Sequence, residues 1–204
     1  MTLPSTMVAV LAYNLGRPEG QVTSYVRRLR EAGMITQKGR GRGSARMTSR
    51  DALRVVLGLA ASDEAVNAPA HVEVAEASIL MSEGAVRIGE VMIARGALFG
   101  DVLEALVEAY RGDRESNASD AIKAWRGFSA SIKSGGMLCE IDFDGSEGSP
   151  FQFLAPSDLD LRNKGKVYSQ TIGEKDLRTI RVFSRQTLSA ICSCTVPPSD
   201  AEDC

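Results

Sequence analysis

Two apolar repeats of helical period, separated by Gly16-Arg17-Pro18, constrain this chain more than any other feature in it. Val8-Ala-Val-Leu-Ala-Tyr-Asn-Leu-Gly16 spaces its apolar residues as a helix does and stops at glycine, the usual helix-ending residue. Arg17-Pro18-Glu19-Gly20 supplies a short turn, with Pro18 suited to the first position of a new helix. A second helix is predicted from Gln21 to Ala32, with Val22, Tyr25, Val26 and Leu29 at i, i+3, i+4, i+7. Burying those four turns Gln21, Thr23, Ser24, Arg27, Arg28 and Arg30 outward. Gly33 closes the helix, and Met34-Ile35-Thr36 is expected to begin a strand.

A basic finger follows, Gln37-Lys38-Gly-Arg40-Gly-Arg42-Gly-Ser-Ala-Arg46. Alternating Gly and Arg combines a loose backbone with charge, which suits a minor groove or a run of phosphates; a solvated hairpin turn with incidental charge is the other reading. Thr48-Ser-Arg-Asp51 fits a capping box, and the helix that it opens, Arg50 to Ala61, is apolar nearly all round. Such a helix is expected to be buried on more than one side: core packing alone accounts for it, and a contact of its far face with the next domain or a second subunit is the alternative.

In this arrangement Ala12, Gly16 and Val22 sit where helix-turn-helix proteins place a small residue, the turn glycine and a buried β-branched residue. Val26-Arg-Arg-Leu-Arg-Glu-Ala-Gly-Met-Ile35 resembles the end of a recognition helix entering a winged hairpin. Residues 5–61 thus resemble the winged helix-turn-helix DNA-binding proteins of bacterial and phage type. Only seven residues precede Val8, so the usual first helix is missing or very short, and the helix after the wing is expected to complete the three-helix core. The resemblance implies that Gln21, Thr23, Ser24 and Arg27 meet base edges, while Arg28, Arg30, Lys38, Arg40, Arg42 and Arg46 meet phosphates or the minor groove.

Charge supports a polyanion-facing end. Residues 1–50 hold nine basic residues against Glu19 and Glu31, a balance of +7; the remainder holds fifteen basic and 24 acidic, or −9. Four cysteines (Cys139, Cys192, Cys194, Cys204) and one histidine form no zinc or redox pattern, so reduced thiols, structural or incidental, are expected, with Cys204 the most exposed. His71 is expected to be inert. Asp142, Asp144 and Glu147 could hold a hard cation, but their spacing is not that of a complete EF-hand, and an acidic hairpin tip accounts for them as well. No phosphate-binding glycine motif, nucleophile elbow or acid pair is present, so neither catalysis nor a cofactor is expected. With no apolar run near membrane length and no leader pattern, the expected location is cytoplasmic and nucleoid-associated.

The polar stretch 62–71 is read as a linker between a winged helix-turn-helix domain (1–61) and a domain at 72–196, with a flexible tail at 197–204. In the second domain, helices are expected at 72–81, 99–110 and 120–132, while 84–96 fits either strand or helix. A strand at 137–143 and a partner from Phe151 follow, then strands at 166–172 and 177–183, and a Ser184-capped helix from Arg185 to Cys194. The fold class expected is α+β, with an antiparallel sheet. The expected function is sequence-specific binding of double-stranded DNA by a transcriptional regulator, as a homodimer whose second domain dimerises or binds a protein partner. A phage DNA-packaging factor resembling a terminase small subunit, and a protein-interaction adaptor, are the alternatives.

Overall fold

The computed structural model describes residues 4–36, 47–81, 86–88, 91–116, 125, 128–133, 138–143, 151–155 and 181–195. Helix α1 (Pro4–Leu15) turns through Gly16 into α2 (Glu19–Glu31). Gly16 and Gly33, which close the two helices, have φ of +60° and +74°, a conformation that costs a residue with a Cβ. Pro18 is the N-cap of α2 with φ −59° and ψ 134°, one position earlier than predicted. The buried residues of α2 are Val22, Tyr25, Val26 and Leu29, the four that the periodicity selects. Each contributes on the order of 1.5–3 kcal/mol by leaving water.

Helix α3 (Ser49–Ala61) opens with a complete capping box: Thr48 accepts from the Asp51 amide, and Asp51 accepts from that of Thr48. Asp51 also accepts from the amide and hydroxyl of Thr36 at 3.0 Å each, and Arg54 donates to the Met34 carbonyl. Those two backbone groups are therefore bound by α3 side chains, and Met34–Thr36 runs as irregular chain where a strand was expected. Helix α3 is buried along most of its length, as its composition requires.

Helix α4 (Ala68–Glu76) takes in the last four residues of the expected linker and buries Ala68. It leads into a two-residue strand, β1 (Ile79–Leu80), and then the antiparallel pair β2 (Val86–Ile88) and β3 (Val91–Ile93), so the ambiguous segment forms strands. Helix α5 (Phe99–Glu115) is five residues longer than predicted. Strands β4 (Ser129–Lys133), β5 (Leu138–Asp142), β6 (Phe151–Leu154) and β7 (Arg181–Ser184) follow, and α6 (Arg185–Cys194), capped by Ser184, ends the described chain. The sheet order is β1-β6-β5-β4-β7, every pairing antiparallel. The protein is thus a mixed fold of helices and antiparallel sheet.

A further expectation fails: Ser129–Ile132, predicted as helix, makes up the first four residues of β4. Trp125 and Phe128 suggested a helical face, but Ala130 and Ile132 alternate inward with Ser129 and Ser131, and β5 and β7 pair on either side. The strand expected at 166–172 lies outside the described residues.

A continuous apolar core runs from Met7 of α1 to Cys194 of α6. Helix α6 packs on α1, and α5 meets both α3 and α6. Phe99 meets Phe153 edge-on at 5.1 Å between ring centres, fixing α5 to the sheet. Tyr110, Trp125, Phe128 and Phe143 form a second aromatic group, in which the indole of Trp125 donates to Asp113 at 2.7 Å.

Cys139, Cys192 and Cys194 are free thiols. Burial raises all three: Cys139 and Cys194 to about 12 and Cys192 to about 11. At pH 8 a thiol near 12 is thiolate in only about one molecule in 10⁴. Native protein treated with iodoacetamide at pH 8 is therefore expected to leave these three unmodified over an hour, and unfolded protein to take label on all of them. Mass spectrometry of the peptides checks this; rapid native labelling of Cys139 would contradict its burial.

Candidate nucleic-acid interface

The outer face of α2 is set by what its inner face must bury. With Val22, Tyr25, Val26 and Leu29 inside, Thr23 and Arg27 are exposed, and Gln21, Ser24, Arg28 and Arg30 are half-buried at the margins. None of the six is swallowed by the core. Gly20 has open space where a Cβ would stand, so the first turn can approach another molecule closely. Ser24 donates its hydroxyl to the Gly20 carbonyl at 2.9 Å, which occupies its proton and leaves the oxygen able to accept. Lys38, Arg40, Arg42 and Arg46 lie outside the described residues.

Two basic side chains of this face have a carboxylate beside them. Glu31, one turn below, contacts both Arg28 (2.9 Å) and Arg27 (3.8 Å). Arg27 retains 65% of its side-chain exposure and Arg28 42%. Arg17, in the turn between α1 and α2, is exposed.

Beside this face lies a groove of about 640 Å³, lined from α1 by Ser5 and Val8 and from α2 by Thr23, Val26, Arg27 and Arg30, with Glu19 and Glu31 also in its lining. Ser5, Val8 and Glu31 were not selected from the sequence. Glu31 carried a legible signal, four residues after Arg27 and three after Arg28. Ser5 and Val8 carried none, because their place depends on how α1 crosses α2.

Not all of the amino-terminal charge is available. Arg50 contacts Glu76 (2.8 Å), Asp101 (2.9 Å) and Glu104 (2.9 Å), and Arg54 contacts Glu76 at 3.0 Å. Burial works against the Arg50 charge, yet the hydrogen bond to Asp101 and the charges of Glu76 and Glu104 outweigh it and hold its pKa above the ordinary value. These arginines tie α3 to α4 and α5. Of the nine basic residues before position 51, Arg50 is therefore half-buried among carboxylates, four sit on α2 or its preceding turn, and four belong to the stretch 37–46.

Asp142, one of the three carboxylates considered for a cation, is exposed and accepts from the Phe143 amide. Asp144 and Glu147 lie outside the described residues. The described residues contain no group of three or more His, Cys, Asp or Glu able to hold a metal ion. No described helix is long and apolar enough to cross a membrane. Compared with protein families, with curated proteins and with solved structures, the chain matches none.

Proposed function

We propose that this protein binds double-stranded DNA through α2, in the manner of a winged helix-turn-helix regulator, with Gln21, Thr23, Ser24 and Arg27 toward base edges. Arg28 and Arg30 reach phosphates, and Lys38, Arg40, Arg42 and Arg46 add the charge of the glycine-rich finger. The observation that carries the proposal is the division of α2: four apolar residues hold it to the core while Thr23 and Arg27 face solvent beside a run of arginines. A helix held this way can enter a major groove without disturbing the fold. The acidic remainder, at −9, is repelled by a duplex and turns the α2 face toward it. The proposed role is regulatory and non-catalytic, with two copies of the chain on paired half-sites about one helical turn apart.

A salt titration tests this. Binding of the purified protein to a 30-bp random-sequence duplex is expected to weaken by about 10²–10³-fold between 50 and 200 mM salt, as about four to six phosphate contacts require. Absence of binding at the lower salt, or affinity indifferent to salt, would remove duplex DNA as the partner.

A further inference from the structure

Glu31 is badly placed to be a stabilising residue. It sits at the C-terminal end of α2, where the helix dipole repels negative charge. Its partners Arg27 and Arg28 precede it in sequence, the weaker order for an ion pair along a helix. All three side chains are substantially exposed, so solvent screens the pairing. Yet Glu31 lies against two cations of the face proposed above to meet DNA, and in the lining of the groove beside it.

We propose that Glu31 is a built-in competitor for phosphate that lowers the sequence-independent affinity of the α2 face. This rests on the duplex-binding reading. In the free protein the carboxylate holds the Arg28 guanidinium and draws Arg27 toward the end of the helix. A duplex must replace those pairings with its own phosphates, and it then leaves the carboxylate beside a polyanion. A sequence that offers Arg27 a base edge recovers the loss through directed hydrogen bonds; a random sequence does not. Glu31 therefore widens the gap between specific and non-specific binding by weakening the latter.

The test uses full-length protein, a 30-bp random-sequence duplex and the variant Glu31→Gln, which keeps size and polarity and removes charge. Glu31→Gln is expected to bind about three- to tenfold more tightly at about 50 mM salt, with a log–log salt slope steeper by about one. Its melting temperature is expected within about 2 °C of wild type. In an Arg27→Ala/Arg28→Ala background the same change is expected to alter affinity by less than about twofold. If wild type binds the duplex and Glu31→Gln matches it in affinity and slope, the competitor role is wrong while the DNA reading stands. If Glu31→Gln tightens binding equally without the two arginines, Glu31 acts only as general surface charge and the proposal also fails. If no variant binds duplex, both readings fall together.

Discussion

Arg111→Met is expected to destabilise the protein by about 3–4 kcal/mol, more than any surface substitution in it. The reason is stoichiometric. A guanidinium has five N–H donors. Here Nε meets Glu108 at 3.1 Å, one terminal nitrogen meets the carbonyls of Cys192 (3.1 Å) and Thr195 (3.3 Å), and the other meets the hydroxyls of Ser49 and Thr195, both at 2.9 Å. Every donor has an acceptor, in a side chain only 10% exposed. Ser49 donates its hydroxyl to Glu108, and Thr195 donates its own to the Ile191 carbonyl at 2.8 Å, so both oxygens are free to accept from Arg111. Removing the guanidinium strands two carbonyls and leaves Glu108 without its cation. At about 2–4 °C per kcal/mol for a chain of this size, the melting temperature is expected to fall by roughly 8–15 °C. Arg111→Lys keeps the charge but cannot span five acceptors, so most of the loss is expected to remain. Ser49→Ala removes one acceptor and should cost about 1 kcal/mol. A calorimetric shift below about 3 °C for Arg111→Met would show that the network is not what joins α3, α5 and α6.

That network also marks the limit of what the sequence makes legible. Its members are spread over residues 49 to 195, and Arg111, next to Gly112 and Asp113, reads in isolation as solvated charge. The same holds for Arg50: before the fold is known it adds to a basic flank, and in the fold Glu76, Asp101 and Glu104 absorb it. Local signals fare better because their physics is local. The buried stripe of α2, the Thr48–Asp51 capping box and the Ser184 cap each depend on residues within about two turns of one another. Strand β5, with Cys139 and Ile141 buried, shows its alternation for the same reason. Strand β4 reads wrongly as helix because its strongest constraint is pairing with β5 and β7, whose residues lie up to 55 positions away. Asp51 falls between: its capping role is legible, whereas its grip on Thr36 across 15 residues is not.

Replacing Arg27, Arg28 and Arg30 together by alanine is expected to weaken random-duplex binding by about 10²-fold or more at about 100 mM salt. The log–log salt slope should flatten by up to about three, near one for each phosphate that is no longer neutralised. The fold should tolerate the change. Alanine has the highest helix propensity, none of the three belongs to the core, and the ion pairs that Arg27 and Arg28 make with Glu31 are exposed ones worth a few tenths of a kcal/mol. Circular dichroism and melting temperature are therefore expected to match wild type, which separates a missing cation at the duplex from a damaged fold. Arg50→Ala makes the converse case. It removes the same formal charge from the same basic stretch, but that charge faces Glu76, Asp101 and Glu104, so stability should drop while the salt slope stays unchanged. If the triple variant kept wild-type affinity and slope, the duplex would have to meet a surface other than α2. If Arg50→Ala flattened the slope, basic charge in this chain would act through its sum, and the fold's division of it between paired and outward-facing arginines would not matter.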